Sequence, residues 1–294
     1  MKVVLHIGLH KSGTSTVQQA WNKAFNRGKR VWYPWLPHGP SHALVAWWVR
    51  GKERVPAKHS LVDVLTEADR RRTQLLLISS EELHEATAEQ TARVRSLLAG
   101  REVSVLITLT QPTYRWPSLW QEMVKHGWAA PQAKSIAQVD EPGVMGAGRL
   151  EELVERWGVE DTTICLVRQH PPEPRLVERV SDLMGVPLPA RLRGDTRPVN
   201  VSLGDAETRM LCEINRLAPD TRGIESPRGR AVAAALREHG PAGAPRVRVD
   251  PDVVDHVSEV GRLEYEALTR LSASGRVRLD DVWGLLDRWD EAES

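Results

Sequence analysis

The sequence predicts an α/β fold in which a doubly wound parallel sheet is flanked by helices and followed by a helical C-terminal part. Short apolar runs with little polar alternation indicate strands that are buried on both faces, which is typical of parallel sheets. These runs alternate with patterns of helical period, which favours right-handed strand–helix–strand crossovers. The 294 residues suffice for a large core. We predict one domain over 1–294, with 203–294 as a mainly helical subregion.

The elements follow from these patterns in chain order. Strands are predicted at 2–8, 74–79, 102–109 and 162–167, with 102–109 as a central strand. Helices are predicted at 14–26, 41–49, 60–72, 82–98, 112–125, 147–157, 173–184, 203–217, 227–238 and 252–271. The segment 128–148 is rich in Pro, Gly and polar residues and is interpreted as a surface loop, with a mobile lid as the alternative.

Composition excludes several classes of partner. The 40 basic and 39 acidic side chains nearly cancel, so neither nucleic acid nor an anionic membrane surface is an expected partner. Cys165 and Cys212 stand alone, which argues against a disulfide framework and a zinc site and suits a reducing cytoplasm. The N-terminus lacks the pattern of a signal peptide, and the apolar runs are too short to cross a bilayer. A cytoplasmic location is expected.

The segment from Gly8 to Thr16 carries most of the functional information. It joins a predicted strand to a predicted helix through a turn that contains glycine. Free N–H groups and the positive end of the helix dipole meet at such a position and favour an anion. Lys11 adds a positive charge, and hydroxyls come from Ser12, Thr14, Ser15 and Thr16. The order is not that of a Walker A loop, because Lys11 precedes Gly13.

This order, Gly-x-x-Lys-Ser-Gly-Thr-Ser-Thr, resembles the 5′-phosphosulfate loop of bacterial, actinobacterial-like sulfotransferases. These enzymes use 3′-phosphoadenosine-5′-phosphosulfate (PAPS) and have a P-loop-like sulfotransferase fold. The resemblance implies that Lys11 contacts the phosphosulfate and that Ser12, Gly13, Thr14, Ser15 and Thr16 hold the 5′-phosphate. His10 lies inside the same loop, either as a contact or as a spacer.

A second region of resemblance covers 110–121. In the family, the central strand ends in an Arg that binds the 3′-phosphate together with a Ser eight residues later. Ser118 stands at the Ser position, but Thr110 replaces the Arg. A hydroxyl cannot reproduce the bidentate, charge-assisted contact of a guanidinium, and the loss costs about 1.5–3 kcal/mol. Arg115 either supplies the missing charge or is a solvated helix residue.

A late basic segment closes over the 3′-phosphate in the family. Arg197, within Arg-Pro-Val-Asn-Val-Ser-Leu at 197–203, is one candidate for it, and Arg228 with Arg230 is another. The alternative is that these are surface arginines beside a loop.

The resemblance implies sulfuryl transfer without a metal, in which Lys11 stabilises the leaving group. The acceptor needs a general base. Glu81 follows the strand that carries the base in the family, although an acidic residue there also suits a helix N-terminus. His42 is the second candidate for the base, and His6 in the first strand is interpreted as a packing residue.

The predicted function is therefore transfer of a sulfuryl group from PAPS to a hydroxyl or amine of a small-molecule acceptor, by a protein that could form a homo-oligomer. Two alternatives remain open at this stage. One is a degenerate relative that binds a nucleotide or another anion without transfer, and the other is a nucleotide-dependent phosphoryl transferase.

Overall fold

The structure is a computed structural model, and the residues that it describes are 1–37, 39–52, 59–139, 149–168, 173–193, 203–217, 231–232, 234–235, 238 and 246–289. Contacts within the chain divide it into two compact units. The first unit holds Met1–Thr110, Gly148–Val199 and Tyr265–Arg288. The second holds Gln111–Ala147, Asn200–Glu264 and Trp289–Ser294. The second unit therefore starts earlier in the chain than the helical subregion predicted at 203–294.

The first unit is built on a six-stranded parallel sheet. Its strands are β1 (Lys2–His6), β2 (Val31–Trp32), β3 (Leu75–Ser79), β4 (Glu102–Leu109), β5 (Asp161–Leu166) and β6 (Arg278–Asp280). Their spatial order is β2-β3-β1-β4-β5-β6, and every neighbouring pair is parallel. This arrangement confirms the predicted α/β class and the central place of β4, and it is consistent with a doubly wound fold. The sequence did not predict the short edge strands β2 and β6.

Both faces of the sheet are buried, as the apolar runs predict. Val4, Leu77 and Leu106 belong to one core cluster, which includes residues of the helices α1 (Thr14–Phe25) and α8 (Leu176–Leu183). The alternate strand residues, such as Val3 and Leu76, are equally buried. Because successive strand side chains point to opposite faces, helices must cover the sheet on both sides.

The other helices of the first unit lie close to their predicted ranges, with one correction. They are α2 (Ala43–Val49), α3 (Leu61–Arg71), α4 (Ala88–Leu97) and α7 (Leu150–Trp157). The helix predicted at 82–98 is wrong in its first part, where Glu81–Glu85 forms a 3₁₀ turn and Ala86 is extended. Helix α4 then starts afresh with a capping box between Thr87 and Gln90, which fixes its N-terminus.

The described part of the second unit is helical. Its helices are α5 (Pro112–Lys125), α6 (Gln132–Val139), α9 (Asp205–Leu217) and the portion of α10 (Val254–Ala273) that ends at Glu264. Their shared core includes Trp116, Trp120, Leu211 and Val257. Helix α6 corrects the prediction of a loop throughout 128–148. Most of the helix predicted at 227–238 lies outside the described residues.

Both cysteines are buried free thiols. Burial raises the pKa of the Cys165 thiol, which keeps it protonated and unreactive. Among the residues that the structure describes, no helix combines the length and the apolar character needed to cross a membrane.

Candidate functional site

The loop between β1 and α1 lies at a topological switch point of the sheet. From β1 the chain moves to β2 and β3 on one side, whereas β4, β5 and β6 lie on the other. Open parallel sheets bind ligands outside the carboxyl ends of the strands at such a point. The loop is anchored to β4 by backbone hydrogen bonds from Ile7 N to Leu106 O (2.7 Å) and from Leu9 N to Thr108 O (3.1 Å).

Two of the predicted phosphate-binding hydroxyls turn inward. The Ser12 hydroxyl donates to Leu9 O (2.6 Å) and lies 2.8 Å from Thr108 Oγ1 and 3.3 Å from Thr14 Oγ1. Ser12 and Thr14 are both buried. In this conformation these hydroxyls hold the loop in shape, and Gly8 makes the packing possible. A Cβ at Gly8 would lie 2.1 Å from Thr14 Oγ1.

A chain of buried hydrogen bonds supports the loop from below. Ser79 Oγ lies 2.9 Å from His6 Nδ1, and His6 Nε2 lies 3.1 Å from Thr108 Oγ1. Because the Ser12 hydrogen goes to Leu9 O, Thr108 donates to Ser12 and His6 Nε2–H donates to Thr108. Ser79 then donates to His6 Nδ1. Burial lowers the pKa of His6 to about 3, against a smaller raising effect of Glu81. The ring is therefore neutral at pH 7, with one nitrogen donating a hydrogen bond and the other accepting one, as this chain of hydrogen bonds requires.

Lys11 has an unusual backbone conformation. Among the described residues, it and Arg72 have positive φ without being glycine, and φ is 64° at Lys11. Arg72 is the C-cap of α3, a position where the left-handed conformation is common. Lys11 has no such explanation. Its conformation costs roughly 1–2 kcal/mol for an L-residue, and strain of this kind concentrates at functional sites.

The solvent side of the loop presents a different set of groups. Ser15 is exposed, and His10, Lys11, Gly13 and Thr16 are partly exposed. Gly13 precedes α1 in a left-handed conformation and has no side chain that could cap the helix. The first N–H groups of a helix have no acceptor one turn earlier, and they carry the positive end of its dipole. In α1 the Thr16 N–H donates to Gly13 O (3.1 Å), so Thr14 N–H and Ser15 N–H are the first-turn donors that an anion can meet. This face therefore suits an anion.

Glu81 lies beside the loop at the carboxyl end of β3. Its Oε1 is 3.7 Å from His10 Nδ1, and its side chain is 38 % exposed. Burial raises the pKa of Glu81, but the contact with His10 and the charges of His10, Lys11 and His84 lower it by more. The net pKa lies below its ordinary value, so Glu81 is ionised at neutral pH. Glu81 also begins a 3₁₀ turn, so its catalytic and helix-start interpretations are compatible.

The surroundings of His42 do not suit a general base. It is fully buried, its Nδ1 accepts from Ser79 N–H (3.0 Å), and its Nε2 lies 2.8 Å from Pro34 O, to which it donates. Burial lowers the pKa of His42 to about 4, against a smaller raising effect of the Pro34 hydrogen bond. Since both ring nitrogens are used within the fold, this geometry argues against His42 as the base and leaves Glu81 as the candidate.

The Thr110 hydroxyl also forms a hydrogen bond within the fold. Its hydroxyl donates to Val167 O (3.0 Å), which ties the ends of β4 and β5 together. The next residue after Val167 is Arg168, whose guanidinium stacks on Trp283 with 3.8 Å between Cζ and the ring centroid. Arg168 Nε is buried and has no hydrogen-bond partner among the residues that the structure describes. The Arg168 guanidinium therefore belongs to the residue that follows Val167, the contact of Thr110. The sequence analysis did not identify Arg168 as a candidate site residue.

The remaining predicted residues lie in the second unit or outside the described ranges. Ser118 is exposed on α5. Arg115, on the same helix, is fully buried and forms an ion pair with Glu264, which also accepts a hydrogen bond from Trp289 Nε1 (3.1 Å). The interpretation of Arg115 as a solvated helix residue is therefore wrong. The Arg115 guanidinium is paired with the Glu264 carboxylate. Arg197, Arg228 and Arg230 lie outside the described residues.

A cavity of about 190 Å³ elsewhere in the first unit is lined by Leu98, Arg101 and Trp157, among others, and by none of the predicted site residues.

In comparisons with protein-family models and with curated protein sequences, no match to this chain was found.

Proposed function

We propose that the protein transfers a sulfuryl group from PAPS to a hydroxyl or amine of a small-molecule acceptor. The observation that carries the proposal is the loop at residues 8–16, which combines the switch-point position with a strained Lys11 and an ionised Glu81 beside it. An anionic donor and a nucleophilic acceptor need these two kinds of group close together.

The donor side of the reaction rests on Lys11 and the start of α1. The first-turn N–H groups bind the 5′-phosphate, which matches the charge of the helix dipole. Lys11 neutralises charge on the bridging oxygen as the bond from that oxygen to sulfur breaks. Such preorganised positive groups act on charge that develops in the transition state, and removing one typically costs about 10²–10³ in rate.

The acceptor side rests on Glu81. The acceptor oxygen or nitrogen attacks sulfur in line and gives its proton to the Glu81 carboxylate, while the leaving group departs as 3′-phosphoadenosine 5′-phosphate. The new bond to sulfur replaces the broken one, so the transfer needs no oxidant or metal. Glu81 is ionised before the step because its pKa is lowered, and His10 orients the carboxylate from 3.7 Å.

Arg168 supplies the charge that Thr110 lacks. It follows the residue whose carbonyl accepts the Thr110 hydrogen bond, and its Nε is a buried donor without a partner in the described part of the chain. A guanidinium at this strand end can bind a phosphate with two donors, as the family's missing Arg would.

A transfer assay tests the proposal. Sulfur-labelled PAPS is incubated with the protein and a panel of phenols, alcohols and amines, and labelled products are separated. We expect a labelled product with the wild type and none above background with Lys11→Ala. Lys23→Ala is the matched control, because Lys23 is an exposed lysine at the other end of α1. Equal product from Lys11→Ala and the control would reject the proposal.

Thr110 in place of Arg favours a second candidate, in which the protein binds the nucleotide without transferring sulfate. The same panel distinguishes the two functions. Binding of 3′-phosphoadenosine 5′-phosphate with no labelled product from any acceptor class would support the second candidate.

A further inference from the structure

Two histidines and a carboxylate lie close together in the first unit, beside the loop. His10 comes from the loop after β1, whereas His84 and Glu85 belong to the 3₁₀ turn after β3. One potential ligand atom from each of these three residues lies within 4.8 Å of the other two. The two imidazole rings contact edge to face, with their centroids 5.1 Å apart.

Glu81 lies beside both imidazoles. Its backbone carbonyl accepts a hydrogen bond from His84 Nδ1, and its carboxylate lies 3.7 Å from His10 Nδ1. A neutral imidazole that directs Nδ1–H at an oxygen carries its lone pair on Nε2, the form that ligates metals. Histidine ligands of metals almost always have a carboxylate or carbonyl partner on the other nitrogen, as His84 has in the carbonyl of Glu81.

From this arrangement we propose that His10, His84 and Glu85 form a binding site for a divalent transition-metal ion of the zinc class. Two imidazoles with one carboxylate are a known ligand set for zinc that keeps a fourth position open. The site uses no thiol, so the isolated cysteines do not bear on it. It shares His10 with the loop proposed to bind PAPS, although the proposed sulfuryl transfer itself needs no metal.

The three groups can close around an ion at small cost. Ligand atoms of a tetrahedral zinc site lie about 3.3 Å apart, as bond lengths of about 2.0–2.2 Å require. Glu85 is exposed and His10 partly exposed, so these side chains can turn. Glu85 currently pairs with Arg50. When it turns away, Arg50 keeps a second partner, Glu82 Oε2 at 2.9 Å, so its charge stays balanced.

Calorimetric titration of the metal-stripped protein with Zn²⁺ tests the proposal, together with Co²⁺ absorption spectra that report tetrahedral coordination. We expect one strong Zn²⁺ site and an intense visible Co²⁺ band. His84→Ala and Glu85→Gln should each weaken binding by about tenfold or more and reduce the band. Because His84 is buried, Glu85→Gln, a change of an exposed side chain, keeps the test valid if His84→Ala fails to fold.

His126→Ala is the control, because His126 is an exposed histidine that also has a carboxylate neighbour, Glu122 Oε1 at 3.3 Å. Its Zn²⁺ affinity should equal that of the wild type. The proposal is overturned if the wild type binds no Zn²⁺, or if Glu85→Gln and well-folded His84→Ala bind it as tightly as the control does.

Discussion

Acid should destabilise the first unit through two buried histidines, His6 and His42. Both are fully buried and hydrogen-bonded at both ring nitrogens. Burial lowers their pKa values from 6.5 to about 3 for His6 and about 4 for His42. The folded protein therefore keeps both rings neutral well below the pH at which an unfolded chain protonates them.

The magnitude follows from proton linkage. Between pH 7 and pH 5 the unfolded state binds protons at these histidines and the folded state does not, so the free energy of unfolding falls as the pH falls. At pH 5 the unfolded state gains about 2 kcal/mol from each ring, or about 4 kcal/mol from both. The loss continues until the pH reaches the folded-state pKa values.

Urea unfolding followed by tryptophan fluorescence at pH 7 and pH 5 measures this loss. The wild type is compared with His42→Asn, whose unfolded state lacks one of the titrating rings. The variant is less stable at pH 7, but the difference between the two proteins should shrink by about 2 kcal/mol at pH 5. An unchanged difference between the two proteins would show that the fold does not hold His42 neutral.

Three substitutions probe the loop and its neighbour. Gly8→Ala places a Cβ 2.1 Å from Thr14 Oγ1 and should destabilise the protein by about 1–3 kcal/mol in the same urea assay; wild-type stability would contradict the tight packing. Lys11→Gly should be at least as stable as Lys11→Ala, although glycine usually costs about 0.5–1 kcal/mol, because φ is 64° there; a clearly less stable glycine variant would argue against strain. Glu81→Gln should lower kcat and remove the fall in kcat at low pH, since the wild-type rate declines as the pH drops through the lowered pKa of Glu81; an unchanged pH–rate profile would exclude Glu81 as the base.

The sequence predicted the interior of the sheet well because its signal is local. Strands β1, β3, β4 and β5 are built around short apolar runs, and each was placed to within two residues at either end. The edge strands β2 and β6 are two and three residues long, too short for a periodic pattern to develop. Their place in the sheet depends on pairing with distant strands, which no local pattern encodes.

The candidate site was predictable as a location but not as a set of contacts. The order of residues in the loop identified the segment, yet it could not show that Ser12 turns inward to Thr108, a residue 96 positions away. The burial of Arg115 depends on Glu264, 149 positions away. His84 and Glu85 become candidate metal ligands only because the fold brings the turn after β3 beside His10. His6, Ser79 and Thr108 each lie at or near the end of a mostly apolar strand, and they were the local signals for the buried hydrogen-bond chain.

In the proposed function, the loop at residues 8–16 binds the phosphosulfate end of PAPS through Lys11. Calorimetric titration with 3′-phosphoadenosine 5′-phosphate, the product that keeps both phosphates, tests it most directly. We expect saturable binding to the wild type and to Lys23→Ala, and a large loss of affinity in a correctly folded Lys11→Ala. Absence of binding to the wild type, or equal binding to all three proteins, would contradict it.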